Sequence, residues 1–183
     1  MNVFYLHKNP KTCAQYHNDK HAVKMCVEYA QLLSTAHRVL DGVPYVEKTA
    51  NGRKIKRWRL MENEDVIYKA CHVNHPSAIW ARSNVNNYLW LYDLWCSLCE
   101  EYTYRYGKVH ECERKLRKVL YDPPTNITNG PFFEPPPAMK HFPQCIVNDN
   151  SIQSYINYYR EAKAHFSKWT NRPVPEFMLS EIV

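Results

Sequence analysis

With 183 residues, 45% of them hydrophobic and 23% charged, the sequence has the size and composition of one globular domain, 1–183, and two independent domains are excluded. An aromatic content of 14% against only four glycines excludes disordered and fibrous classes, because so many rings have to be buried or stacked. No run of about 18 apolar residues offers a membrane span, and Met1–Lys8 has neither a basic region nor a long apolar one, so the chain is expected to stay in the cytoplasm where it is made.

The elements follow in chain order. Val3–Leu6 is too short for a helix and reads as extended. Asn9-Pro10 opens a short helix, with Asn as the cap and Pro in the first turn, where its missing N–H costs nothing. A second helix is predicted over about 19–40, stopped by Gly42 in a left-handed conformation. Residues 43–60 read as a β-hairpin, since Tyr45, Val46 and Thr49 on one side and Ile55 and Trp58 on the other flank Asn51-Gly52, the pair favoured in a type I′ turn. Residues 62–72 suggest a further helix. The aromatic run 76–106 ends at Gly107 and breaks near Ser83-Asn84, where Ser83 can cap a new helix. Residues 108–120 read as a charged surface helix. Seven prolines in 122–143 forbid a long helix and predict a wrapping loop. The last helix is predicted over 151–169, and Arg172-Pro173-Val174-Pro175 closes the chain as an extended tail. The fold class is therefore mainly α: a single helical domain with one small β-hairpin and a Pro-rich wrapping loop.

The +6 net charge is local. Lys48, Arg53, Lys54, Lys56, Arg57 and Arg59 fall in one twelve-residue window without an acid between them, and they equal the whole surplus. A two-stranded ribbon carrying Arg53, Lys54, Lys56, Arg57 and Arg59 can lie along a phosphate backbone, so the hairpin is a candidate nucleic-acid arm. A solvated hairpin that only raises solubility explains the same charges. The seven cysteines are odd in number and sit mostly in apolar helical patterns, which fits a reducing compartment better than a disulfide framework; Cys96 and Cys99 read as buried thiols.

The second helix carries the main site signal. His17, His21, Lys24, Glu28, Gln31, Thr35 and Arg38 follow one another at spacings of 4, 3, 4, 3, 4 and 3, one narrow line on a helix that is otherwise almost wholly apolar. Such a line faces either a strip of solvent or a polar cavity. In the cavity reading His17, Lys24, Gln31 and Arg38 bind a phosphate-bearing ligand, with Glu28 as general base and His21 as its catalytic partner. His17 and His21 are spaced to share a metal ion, but Lys24 lies between them and Glu28 and repels a cation, so no metal and no other cofactor is expected. Around Asn74-His75-Pro76, His75 and Arg82 join a helix start and can help hold an anion, or act only as cap and salt-bridge partner.

Four stretches carry a resemblance: His17-Asn18-Asp19-Lys20-His21-Ala22-Val23-Lys24-Met25 running on to Ala36, Asn74-His75-Pro76 through Arg82, Glu101-Tyr102-Thr103-Tyr104-Arg105-Tyr106-Gly107-Lys108, and Lys168-Trp169 with Arg172-Pro173-Val174-Pro175. On these residues the chain resembles a widespread family of uncharacterised tailed-bacteriophage proteins of about this length, which implies a phage source and a host-cell cytoplasmic location. Position 18 is Asn where similar proteins have Cys, which argues against a cysteine nucleophile there. The chain is also similar in class, being basic, compact and helical, to the small phage pyrimidine-dimer glycosylases. Their nucleophile is the amine of a small second residue, a pattern from which Asn2 departs.

The expectation is a protein that binds a nucleotide or nucleic-acid end in a phosphate-binding pocket and hydrolyses a phosphoester or N-glycosidic bond. The alternatives are a non-catalytic nucleotide binder that sequesters a host defence signal, and a structural or host-interaction protein whose polar line is filled by its own partners.

Overall fold

Asparagine side chains start four of the helices by one device. In the computed structural model, which describes residues 1–179, Asn9 Oδ1 accepts from the Thr12 amide and opens α1 (Pro10–Tyr16), and Asn18 does the same for His21 at the head of α2 (Asp19–Asp41). Asn84 accepts from Asn87 to open α4 (Val85–Tyr106), and Asn150 from Gln153 to open α6 (Ser151–Tyr158). Two histidines cap through Nδ1: His75 opens α3 (Pro76–Ala81), and His110 opens α5 (Glu111–Leu116). Each such cap satisfies an amide that the helix itself cannot, worth about 1 kcal/mol. A two-stranded antiparallel hairpin, β1 (Val43–Lys48) and β2 (Lys54–Arg59), follows α2, and a short α7 (Glu176–Leu179) ends the described chain. Residues 180–183 of the expected domain lie outside the described residues. No helix among the described residues is long and apolar enough to cross a membrane.

The fold is mainly helical, with α4 at its centre. Helices α1 and α2 both pack on α4, and the Trp95 indole of α4 donates to the Cys26 carbonyl of α2 at 2.8 Å. Val3–Leu6 is buried and lies in neither helix nor strand, with the Leu6 amide turned back to the Phe4 carbonyl: the Phe4 amide donates to the Tyr29 hydroxyl of α2, while the Phe4 ring touches Tyr155 and Tyr159 of the last helical segment. The Pro-rich loop over 122–143 wraps α3 and α4. Its carbonyls at Pro131 and Phe133 accept from Asn84 and from the Trp80 indole, and its Phe133 amide donates to Asn87.

Several local expectations are corrected. Residues 62–72 form no helix, because the carbonyls of Glu64, Ile67 and Tyr68 turn inward to the buried Arg38 guanidinium, an orientation that a helix axis forbids. Gly42 is extended and not left-handed; it is required by close approach, since a Cβ there would stand 2.4 Å from the Arg38 carbonyl oxygen and 2.8 Å from Trp58 Cβ. The hairpin turn is a three-residue loop, Ala50-Asn51-Gly52, closed by Thr49 and Arg53, with Gly52 at φ +78° as the left-handed bulge residue, and not a two-residue I′ turn. Asn84 and not Ser83 caps α4. The surface helix shrinks to Glu111–Leu116 and continues as turns to Leu120. The last helix changes pitch after Tyr158, to a π-turn over Tyr159–Lys163 and a 3₁₀ turn over Ala164–Phe166, and so stops short of Trp169.

Candidate functional site

The polar line of α2 divides into three parts. Ahead of α2, as the C-terminal cap of α1 and so outside the helix expected to carry it, His17 is fully buried: its Nδ1–H donates to the Cys13 carbonyl at 2.7 Å, and Nε2 accepts from the Tyr29 hydroxyl at 2.7 Å, since that hydroxyl already accepts from the Phe4 amide. Burial lowers the His17 pKa to about 4. His21 repeats the arrangement. Its Nδ1 accepts from the Tyr159 hydroxyl at 2.6 Å, its ring stacks on Phe4 at 4.0 Å, and burial together with His17, Lys163, Lys24 and Lys20 holds its pKa far down. With Nδ1 occupied, the proton of neutral His21 sits on Nε2, so the ring can donate to a ligand and cannot take a proton from one. The two imidazoles are aimed at different tyrosines, and among the described residues no three His, Cys, Asp or Glu side chains are placed to hold a metal ion.

At the tail of the line, Thr35 and Arg38 serve the fold. The Thr35 hydroxyl accepts from the Cys71 amide at 3.2 Å. Arg38 is 1% exposed and spends all five donors internally, on the carbonyls of Trp58, Glu64, Ile67 and Tyr68 and on the Glu64 carboxylate. Hydrogen bonds to a charged group contribute about 1.5–3 kcal/mol each, so Arg38 fixes the 60–70 segment and has no donor left for a phosphate. The Glu64 carboxyl is lowered despite the opposing effect of burial, because Leu60 and Arg38 hydrogen-bond its ionised form.

The middle of the line reaches solvent. Glu28 lies between two ammonium groups, Lys24 Nζ at 3.3 Å from Oε1 and the Met1 amine at 3.6 Å from Oε2, and Gln31 stands half-buried one turn on. The Lys24 side chain is 66% exposed and that of Glu28 17%. His75 belongs to the same neighbourhood: burial lowers its pKa, the Met1 amine and His72 add to this, and the Glu28 carboxylate opposes it. With Nδ1 accepting from the Ser77 amide, the His75 proton sits on Nε2. His75 also forms one wall of a cleft of about 470 Å³, completed by Pro137, Lys140, His141, Phe142 and Tyr158. Prolines and rings make its flat walls, and His75, Lys140 and His141 supply its nitrogen donors. Arg82, expected to act with His75, instead donates to the Val73 carbonyl at 2.8 Å, and burial lowers its pKa.

Lys140, His141, Phe142 and Tyr158 were not among the residues singled out by sequence. They come from the end of the Pro-rich loop and from α6, more than a hundred residues from Glu28, and only the wrapping of that loop brings them beside α3.

The basic hairpin also divides. Cross-strand partners share a face, so Tyr45, Glu47, Arg57 and Arg59 lie on one side, and Val46, Lys48, Lys54, Lys56 and Trp58 on the other. The first side is tied down: Arg57 donates to Glu47 and to the Ala70 carbonyl, each at 2.9 Å, Lys69 pairs with Glu47, and Arg59 lies 5.0 Å from the Tyr45 ring. On the second side Lys48, Lys54 and Lys56 are exposed, with Lys56 over the Trp58 ring at 5.1 Å and Arg53 at the tip. Lys48 stands directly opposite Lys54, a like-charge pair that weakens the hairpin.

Compared with protein-family models, with curated proteins and with solved structures, the chain matches none.

Proposed function

We propose that the protein binds nucleic acid, takes one nucleotide into the cleft between His75 and Tyr158, and uses Glu28 in hydrolysing that nucleotide's N-glycosidic bond, water adding to the sugar carbon as the base leaves and takes up the proton that the water gives up. The observation that carries this reading is that the partly exposed Glu28 carboxylate is near enough to His75 to act on its protonation, and His75 lines a cleft of rings, prolines and Lys140. Tyr158, Phe142 and the prolines offer faces to a base, Lys24 and Lys140 offer positive charge to phosphates, and His141 offers a ring nitrogen for a hydrogen bond. Between the two reactions open to such a site, charge decides. A phosphoester transition state is anionic, and a nearby carboxylate repels it, whereas glycosidic cleavage builds positive charge on the sugar, which a carboxylate stabilises. Glu28 thus acts on charge more than as a proton acceptor, a role that suits a carboxylate paired on both oxygens with ammonium groups. In keeping with the resemblance to tailed-phage proteins, the proposed setting is the cytoplasm of an infected bacterial cell.

A non-catalytic nucleotide binder is the second reading. It is favoured by the same ion pairs, since a Glu28 already matched on both oxygens is equally suited to a purely structural place in a binding site.

Free-base release from end-labelled oligonucleotides, normal, uracil-containing and ultraviolet-irradiated, tests the first reading. Release by the parent protein and a loss of at least about 100-fold in Glu28→Gln, with oligonucleotide affinity kept, is the expected outcome; 100-fold is about 2.7 kcal/mol of transition-state stabilisation. Undiminished release by Glu28→Gln removes the catalytic role. Binding by the parent without release of base from any of the three substrates leaves the binder.

A further inference from the structure

Lys20 and Lys163, which the proposed chemistry does not use, lie outside the cleft on the side of Lys24. Lys20 Nζ stands 4.4 Å from the centre of the Phe166 ring, and Lys163 Nζ stands 4.7 Å from Tyr158 and 5.8 Å from Phe166. Lys24 is close enough to act, with Lys20 and Lys163, on the protonation of His21 from outside. Among the described residues neither Lys20 nor Lys163 has a carboxylate within ion-pair distance, and Lys24 has only Glu28. Cations gathered on ring faces without counter-charge repel one another, and an incoming polyanion relieves that repulsion.

The surface is held rigidly. The π-turn over Tyr159–Lys163 sets the direction of Lys163, and π-turns occur mostly where a helix has a function to serve. Ser167 fixes the following turn against the head of α2: its hydroxyl accepts from Asn18 Nδ2 at 2.9 Å and donates to the Lys163 carbonyl at 2.8 Å. The Asp19 amide donates to the Lys168 carbonyl at 2.8 Å, so Lys20 and Lys163 come from two segments stapled together. Tyr158 belongs to both regions, lying under Lys163 and lining the cleft.

We propose that Lys20 and Lys163, set on Phe166 and Tyr158, together with the exposed Lys24, form a phosphate track that leads a single nucleic-acid strand into the cleft. This rests on the reading that the cleft takes a nucleotide unit. A single strand is the occupant because its bases are free to stack on rings and to enter a cleft, while its phosphates meet the lysines at successive positions. The hairpin lysines are a separate basic surface.

Binding of a fluorescein-labelled twelve-nucleotide thymidine strand, titrated from 50 to 300 mM salt, is the test. Each phosphate contact on a single strand contributes about 0.7 to the salt slope, so Lys20→Gln with Lys163→Gln is expected to flatten the slope by about 1.4 and to weaken binding at least about tenfold at the lowest salt. Phe166→Leu leaves the charge count unchanged and is expected to weaken binding with the slope nearly kept, because the lysines lose their seat. Far-ultraviolet circular dichroism and urea midpoints equal to those of the parent establish that the variants are folded. An unchanged slope and affinity in the double lysine variant overturns the track; if Tyr158→Ala still loses binding in that case, the cleft reading stands without it. A parent protein that does not bind the strand at 50 mM salt overturns both.

Discussion

Glu101 and Arg172 meet as a two-point pair, Nε on Oε1 and Nη2 on Oε2, each at 2.9 Å, joining the end of α4 to the C-terminal tail. Arg105, one helical turn beyond Glu101, donates to the same carboxylate at 2.9 Å, and with its other two nitrogens to Asp19 and to the Gln15 carbonyl. Asp19 in turn accepts from the Thr170 amide and hydroxyl, and the Arg172 guanidinium lies 4.0 Å from the Tyr104 ring. Burial alone would raise the Glu101 carboxyl, but the hydrogen bonds from Arg172 and Arg105 outweigh it and hold the group below its ordinary value.

The two arginines are therefore expected to differ in cost. The Arg105 side chain is fully enclosed, and Arg105→Met leaves Glu101 buried with one partner fewer, for a loss of about 3–5 kcal/mol. Arg172 is 26% exposed, so solvent screens its share, and Arg172→Ala is expected to cost about 1–2 kcal/mol while releasing the tail. Urea denaturation measures both, and limited proteolysis between Thr170 and Glu176 reads the tail. An Arg105→Met protein as stable as the parent shows that the network contributes nothing to the fold.

This network accounts for three of the four stretches that drew notice in the sequence. Asn18 and Asp19, Glu101 with Tyr104 and Arg105, and Trp169 with Arg172 are distant along the chain and converge on one corner, where the Trp169 indole also donates to the Tyr16 carbonyl at 3.0 Å. Residue types and helical spacing were readable there, but the partners were not, because a carboxylate does not announce which arginine will reach it. The same limit governs the α2 line. Its periodicity holds only from His21 to Arg38, His17 lying outside the helix as the C-terminal cap of α1, and only the tertiary contacts decide that His17 and Arg38 are consumed by Tyr29 and the 58–68 backbone while Lys24 and Glu28 reach solvent. The start of α1 and the end of α4 were legible because Asn9 and Gly107 act on their own neighbours, and the hairpin because Asn51-Gly52 marks its turn. The 62–72 segment was not, because its conformation is dictated from another element.

Three neutral imidazoles make the fold acid-sensitive. Burial lowers His17 and His37 to about 4 and drives His21 lower still; His37 donates from Nε2 to the Tyr88 hydroxyl at 2.8 Å. In the unfolded chain these rings bind protons near pH 6.5, so the unfolded state takes up more protons than the folded one below that pH. Stability is fully present above about pH 6.5 and is lost as pH falls toward 4, each ring steepening the loss by about 1.4 kcal/mol per pH unit. Urea midpoints from pH 7.5 to 4.5 check this, with His37→Gln expected to flatten the dependence by one ring's share. A midpoint independent of pH across that range sinks the assignment of neutral rings.

On the hairpin, Lys48 and Lys54 form a like-charge pair across the two strands. They face each other across the strands on the exposed side, where like charges cost about 0.2–1 kcal/mol, and no acid shares that side with them. Lys54→Thr removes the repulsion and adds a residue with good strand propensity, so it is expected to raise stability slightly. If the exposed side contacts a duplex backbone, the same change weakens binding, and Lys48→Gln, Lys54→Gln and Lys56→Gln together lower the salt slope by about 2.7, at about 0.9 per contact. Arg57→Gln separates the two faces: its partners are Glu47 and the Ala70 carbonyl, so it is expected to loosen the attachment of the hairpin and to leave the slope nearly unchanged. Titrations of a duplex at several salt concentrations, paired with thermal melts, read both effects. A triple lysine variant that keeps the parent's slope makes the charge a matter of solubility alone, and the cost of the Lys48–Lys54 pair is then without a binding role.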